Sequence, residues 1–342
     1  MTVPQNLQPD KERPSKDVDW YHPDVQSNIG PEMRDLLLNY SKIPADDLVA
    51  HITKVLAKSR VLQQQRDSAW EICPYPTVGM LLFLDFGIKC TALPEPRTQL
   101  HNSILHTLMQ GGKLLDVGCM FGQDMRKMVY EGAPVSSVYG TDLRGDYFSL
   151  GYALFKDEAT IPSEHFIAAD IMDPASPLCR FDGDLDVITA KDVLHCFDYP
   201  TQIQLAMRFV ALLKPRPGSR AVGQILAHVR AGNYSTEFGT ADLANMFLHN
   251  DESFAKMWEE VGEKTGTRFS MSAYTAPEFE AGISYLPRAS GAWLMFSVGG
   301  GGEAETLRIL GAGKTSEEFV AGIEEGAGVG EEGIEGREDG RG

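Results

Sequence analysis

KLLDVGCMFGQDM, residues 113–125, runs from a short apolar strand through a glycine-bearing turn into the start of a helix. Many nucleotide-binding folds hold their ligand on such a strand–turn–helix, with G-x-G-x-x-G as the usual pattern for a dinucleotide. Here Gly118 and Gly122 enclose the bulky Cys119, Met120 and Phe121, and Asp116 stands two residues ahead of the first glycine. That bulk leaves less room for a pyrophosphate, and the carboxylate would repel one. No G-K-[S/T] follows the turn, which excludes a Walker-type phosphate loop. The loop is better suited to a cationic ligand.

Working outward, the pattern from Gly112 alternates strands and helices. KLLDVGC reads as a strand, FGQDMRKMVYEG as a helix, SVYGTDL as a strand and DYFSLGYALFKD as a helix. HFIAADI, LDVITAKDVLH and RAVGQILAHV continue the strands, with PTQIQLAMRFVALLK as the helix between the last two. DESFAKMWEEVGEKTG is an amphipathic helix, followed by the strands TRFSMSAY and GAWLMFSVG. Strands interleaved with helices of this length require right-handed crossovers and a mostly parallel sheet. The predicted fold is α/β and doubly wound, with about seven strands and a ligand site at their carboxyl ends. Its domain spans 111–298.

Ahead of it, residues 1–19 read as a loose, polar end, and 20–110 as a mainly helical cap region. PEMRDLLLNYSKI and PADDLVAHITKVLAKSRVLQQQRDSAW carry apolar residues at three- and four-residue spacing, with Pro and Asp at their starts. Trp70, Tyr75, Phe83 and Phe86 follow as an aromatic group suited either to core packing or to an apolar pocket. Beyond the domain, 299–342 holds 14 of the chain's 34 glycines, with eleven acidic and four basic residues. Such a segment buries too little apolar surface to offset its ordering entropy, so a disordered tail is expected, with transient helix at TLRIL and SEEFVAGI.

The formal charge of −17 argues against general nucleic-acid affinity, which needs clustered Lys and Arg. No run of about 18 apolar residues is present to insert in a membrane, and the polar start lacks an apolar signal segment. The five cysteines are widely spaced, without CxxC pairs or zinc-ligand spacing, so reduced thiols, no metal site and a cytoplasmic location are expected. Whether the chain forms a homodimer stays open.

D-V-G-C-M-F-G resembles motif I of the class I S-adenosylmethionine-dependent methyltransferases, D/E-x-G-x-G-x-G, with Met120 in place of the middle glycine. Asp142 in YGTDL, Asp170 in IAADI, and Asp192 and His195 in TAKDVLH stand at three further strand ends, and LLKPRPGS resembles the LLKPGG of that superfamily. The resemblance implies a Rossmann-like methyltransferase sheet and S-adenosylmethionine as cofactor. It implies that Asp116, Gly118, Gly122 and Gln123 form the cofactor loop. Asp142 would bind two ribose hydroxyls, Leu143 would pack on the adenine, Asp170 and Ile171 would border it, and Asp192 would complete the set. From the residues alone, each aspartate has a second reading as a strand-end cap of the next helix; three at successive strand ends favour a binding role.

A closer resemblance runs from about Trp20 to Phe296. WYHPDV, RDSAWEICPYPTVG, LLDVGCMFGQDMRKMV, VYGTDLRGDYFSLGYALFKD, HFIAADI and FLHNDESFAKMWEEVG are similar to the fungal methyltransferases of meroterpenoid pathways. That group also carries bulky residues in the CMFGQ loop. The resemblance implies methyl-ester formation on the carboxyl group of a hydrophobic, farnesylated polyketide acid in secondary metabolism. An ionised carboxylate needs no general base. His195 is the candidate to orient it, or to accept a proton if the acceptor is a phenol or enol, and His249 is a second candidate. A non-catalytic, cofactor-binding regulator is the alternative from a different class.

Overall fold

The computed structural model describes residues 24–57, 94–234, 246–276, 291–300 and 308–310. Its centre is a sheet of strands β1 (Leu114–Val117), β2 (Val138–Asp142), β3 (Phe166–Ala168), β4 (Val187–Lys191), β5 (Arg220–His228), β8 (Phe269–Ala276), β9 (Gly291–Gly300) and β10 (Arg308–Leu310), in the order β3-β2-β1-β4-β5-β9-β8-β10. The two remaining strands, β6 (Gly232–Tyr234) and β7 (Met246–Leu248), form an antiparallel ribbon. β1 pairs in parallel with β2 and β4, and only β9 runs against its neighbours β5 and β8. This is the mostly parallel, doubly wound Rossmann-like sheet expected. The seven anticipated strands are joined by β10, an edge strand drawn from the TLRIL patch. Arg308–Leu310 of that patch are therefore strand and not helix, and β9 runs two residues past the anticipated boundary at 298.

The central strands are apolar because both faces are covered. All four residues of β1 and all nine of β5 are buried. On one face lie α7 (Tyr199–Leu212) and α8 (Asp251–Thr265), with Phe209, Phe254 and Trp258 closing over β4, β5 and β9. On the other, Leu108 of α4 (Pro94–Met109) and Met125 of α5 (Gln123–Tyr130) pack with Leu114, Val138 and Val222. α8 starts with a capping box in which Asn250 Oδ1 accepts from Ser253 N and Ser253 Oγ from Asn250 N.

The described part of the cap comprises α1 (Val25–Asn28), α2 (Pro31–Asp35), a following π-turn and α3 (Leu48–Ala57). Met33, Leu36, Leu37, Leu48 and Ile52 join one apolar cluster with Leu150, Leu154 and Phe155 of α6 (Asp146–Phe155). Trp70, Tyr75, Phe83 and Phe86 lie outside the described residues, as do 1–19. No helix among the described residues is long and apolar enough to cross a membrane.

Candidate active site

The strand order reverses at β1, between β2 and β4, so the crevice over their carboxyl ends is where a doubly wound sheet binds ligands. The loop after β1 enters it. Gly118 and Gly122 hold φ of 71° and 68°. A Cβ on Gly118 would lie 2.6 Å from Val193 Cγ2, and one on Gly122 2.5 Å from Phe166 Cε1, so both positions exclude a side chain. The N–H groups of Gly118 and Cys119 both donate to Thr141 O, at 2.8 and 3.0 Å, which seats the loop on β2.

Met120 takes the left-handed conformation a glycine would, at φ 52°. Its side chain and that of Phe121 do not fill the crevice. They are 8% and 1% exposed and belong to the same apolar cluster as Met33, Leu36 and Leu37 of the cap. The bulk in the loop is the surface on which the cap docks.

Asp142, ending β2, accepts from Met120 N at 3.0 Å through Oδ2 and from Arg144 N at 2.9 Å through Oδ1. Burial raises its carboxyl pKa, against those backbone donors. Asp116 is buried beside Thr189, whose hydroxyl donates at 2.7 Å. Burial and the neighbouring Asp124 push it up to about 7, although Lys191, 2.5 Å from Asp124, pulls the other way. Asp170 closes an Asx turn on Met172 N at 2.8 Å, with Ile171 partly buried behind it. Leu143 is 57% exposed at the rim, an apolar side chain available to a flat ligand.

Asp192 follows β4 at φ 58°, an uncommon conformation for a residue other than glycine. Both carboxylate oxygens accept from Gln224 Nε2, at 3.2 and 3.1 Å, and burial pushes the group up to about 7. Among the described residues, two buried side-chain carbonyls have no donor: Gln123 Oε1, at the first residue of α5, and Gln224 Oε1 on β5. Buried carboxyls raised by desolvation, beside buried acceptors without donors, suit a ligand that is cationic and rich in N–H and O–H groups. Gln224 was not singled out by sequence reasoning, and its signal was a lone amide within the apolar run AVGQILAHV. Arg126, a single arginine one turn into α5, was missed too.

The two histidines part company. His195 is half-buried, and its Nδ1 accepts from Leu226 N at 3.1 Å, so the ring proton sits on Nε2. Burial lowers its pKa to about 4. As a neutral ring with its proton on Nε2, His195 suits orienting an acceptor better than taking its proton. His249 is fully buried. Gln202 Nε2 donates to Phe197 O and Phe247 O, so Gln202 Oε1 accepts from His249 Nε2 at 3.0 Å, while His249 Nδ1 lies 2.9 Å from Ser253 Oγ. With both nitrogens engaged and burial lowering its pKa to about 3, His249 ties α7 to α8 within the core. That placement favours a packing role over the catalytic one.

Residues 20–84 match the Meroterpenoid methyltransferase N-terminal domain. An O-methyltransferase of a fungal species, phiE, is 38% identical over 260 residues, covering 75% of this chain and 79% of that protein. The chain belongs to the fungal meroterpenoid methyltransferases. The methyltransferase ausD of Penicillium brasilianum and the Asnovolin E/Chermesin D methyltransferase nvfJ of Aspergillus novofumigatus are each 33% identical, covering 71% of this chain and 80% of theirs. A solved N-methyltransferase of Burkholderia thailandensis, bound to S-adenosylhomocysteine, has a TM-score of 0.39 and 14% identity over 64% of this chain and 94% of that one.

This methyltransferase uses S-adenosylmethionine, and the residues present fit it. Its positive charge would suit the buried carboxyls of Asp116 and Asp192, and its N–H and O–H groups are donors of the kind the side-chain carbonyls of Gln123 and Gln224 could accept. Buried Cys119 is no nucleophile here, because burial and the nearby Asp116 raise its thiol pKa.

Proposed function

We propose that this methyltransferase forms a methyl ester on the carboxyl group of a hydrophobic, farnesylated polyketide acid, with Asp116, Gly118, Gly122, Gln123, Asp142, Leu143, Asp170, Ile171 and Asp192 holding the cofactor. The observation that carries the reading is the fixed tautomer of His195. A ring whose Nδ1 accepts from Leu226 N–H carries its proton on Nε2 and has no lone pair left to take a proton from an acceptor. That suits an acceptor which arrives ionised, and a carboxylic acid of pKa about 4 is an anion at neutral pH.

The cofactor, when bound, supplies an electrophilic methyl group on a cationic sulfur. An acceptor arriving as a carboxylate would take that methyl group without giving up a proton, so no residue of the chain would be asked to act as a base. The chain's contribution is alignment and the exclusion of water, which strengthens the attraction between the ions and strips the nucleophile of its shell. The name of nvfJ, a methyltransferase of Asnovolin E/Chermesin D, supports a meroterpenoid acceptor.

Asp192 favours a second reading. Raised to about 7 by burial, three residues ahead of His195, it is a group able to take the proton of a phenol or enol. Incubation with a farnesylated orsellinate-type acid and S-adenosylmethionine separates the two. An ester loses its methyl group in alkali, whereas an aryl ether keeps it. An alkali-stable product would reject the carboxyl reading.

A further inference from the structure

Tyr40, in the cap, donates its hydroxyl to Asp157 Oδ2 at 2.7 Å. Asp157 in turn takes a bidentate pair from Arg126, Nε to Oδ2 at 2.7 Å and Nη2 to Oδ1 at 2.9 Å. The third arm of that guanidinium, Nη1, donates to Phe121 O at 2.5 Å and Gly122 O at 3.3 Å, the last two carbonyls of the cofactor loop. Arg126 is wholly buried, with its guanidinium over the rings of Phe155 at 4.6 Å and Phe166 at 5.1 Å, and Asp157 is 4% exposed. A continuous chain of bonds thus joins the cap to the backbone that forms the cofactor site.

We infer that Tyr40 is a positioning residue for cofactor binding, acting through Asp157 and Arg126 on the loop carbonyls at Phe121 and Gly122. The physical reason is the cost of burying an ion pair away from water. It is tolerated only when the remaining lone pairs and protons are satisfied. Asp157 Oδ2 accepts from Arg126 and Tyr40, and among the described residues no backbone N–H donates to either carboxylate oxygen, so there the cap supplies the donor that joins Arg126. With the cap in place, Arg126 is held in the fork that fixes Phe121 O and Gly122 O. Without it, Asp157 is short of a donor and water must enter, loosening the arginine from the loop. Met120 and Phe121, packed in the cap's apolar cluster, carry the same coupling through contacts.

Coupling of this kind is reciprocal: whatever factor cap docking adds to cofactor affinity, the cofactor adds to cap docking. The full chain and its Tyr40→Phe variant, which keeps the ring and removes one hydroxyl, are titrated with S-adenosylhomocysteine. Hydrogen exchange over residues 30–55 is followed with and without it. The expected result is about tenfold weaker binding in Tyr40→Phe, the scale of one charge-assisted hydrogen bond. In the parent, the ligand should slow exchange in the cap, and in the variant that slowing should shrink. Tyr152→Phe is the control. It removes a hydroxyl that donates to Ile161 O at 2.8 Å from a ring 5.4 Å from the same guanidinium, outside the cap. Affinity unchanged in Tyr40→Phe, an equal loss in Tyr152→Phe, or cap exchange indifferent to the ligand would each overturn the inference.

Discussion

Met120 donates its backbone N–H to Asp142 Oδ2 across 3.0 Å, so the residue that stands where motif I has its middle glycine also fixes the acid at the end of β2. Loop and acid are one unit, and the cap rests on the side chains of that unit.

Met120→Gly tests the trade made at this position. Glycine relieves left-handed strain of about 1–2 kcal/mol. It also forfeits a side chain that is 8% exposed, and truncating a buried methionine costs about 2–5 kcal/mol. A net loss of roughly 2 kcal/mol is expected in denaturant unfolding of the variant. A more stable variant would mean that the apolar contact with the cap contributes little.

Asp142→Ala removes the acceptor of two backbone N–H groups and, on the cofactor assignment, of the ribose hydroxyls. Calorimetric titration with S-adenosylhomocysteine should show at least about a hundredfold weaker binding, since each buried donor left unpaired costs about 1–3 kcal/mol. Parent-like affinity would displace Asp142 from the site.

Proton release should accompany cofactor binding. Asp116 and Asp192 have pKa values raised to about 7, so between their unfolded values near 4 and pH 7 the folded, ligand-free chain binds more protons than the unfolded one. These two groups therefore make the ligand-free protein less stable as pH rises through that window, and their effect levels off above it. A cationic ligand favours the ionised carboxylates, so its affinity should rise from pH 5.5 to 7.5 and protons should leave on binding, roughly the window set by the two shifts. Titrations in buffers of different ionisation enthalpy count those protons. Affinity independent of pH would contradict ligand contact with these acids.

For His195→Ala, the neutral-donor assignment predicts a kcat loss of about tenfold, below the hundredfold or more of a general base. The variant also orphans Leu226 N–H, so its melting temperature should fall, in line with about 1–3 kcal/mol for a buried donor left unpaired. A thousandfold loss with an altered basic limb in the rate profile would restore a proton-transfer role.

Much of this protein is written locally. The alternation from Gly112 determined the doubly wound sheet, because strand and helix periods are set by neighbours in sequence and buried parallel strands must be apolar. Aspartates at strand ends marked the crevice for the same reason, since topology carries every such end to one edge. TLRIL escaped because a three-residue edge strand owes its state to the partner β8 and not to its own propensity. The roles of His195 and His249 were equally hidden. Which ring nitrogen holds the proton is decided by Leu226 N–H, Gln202 and Ser253, groups 4 to 47 residues away in sequence. The absent glycine is the clearest case. Sequence alone shows bulk where a ligand loop is lean, and only the tertiary structure shows that bulk turned outward to the cap, where burial of Met120 and Phe121 stabilises what their backbone conformation costs.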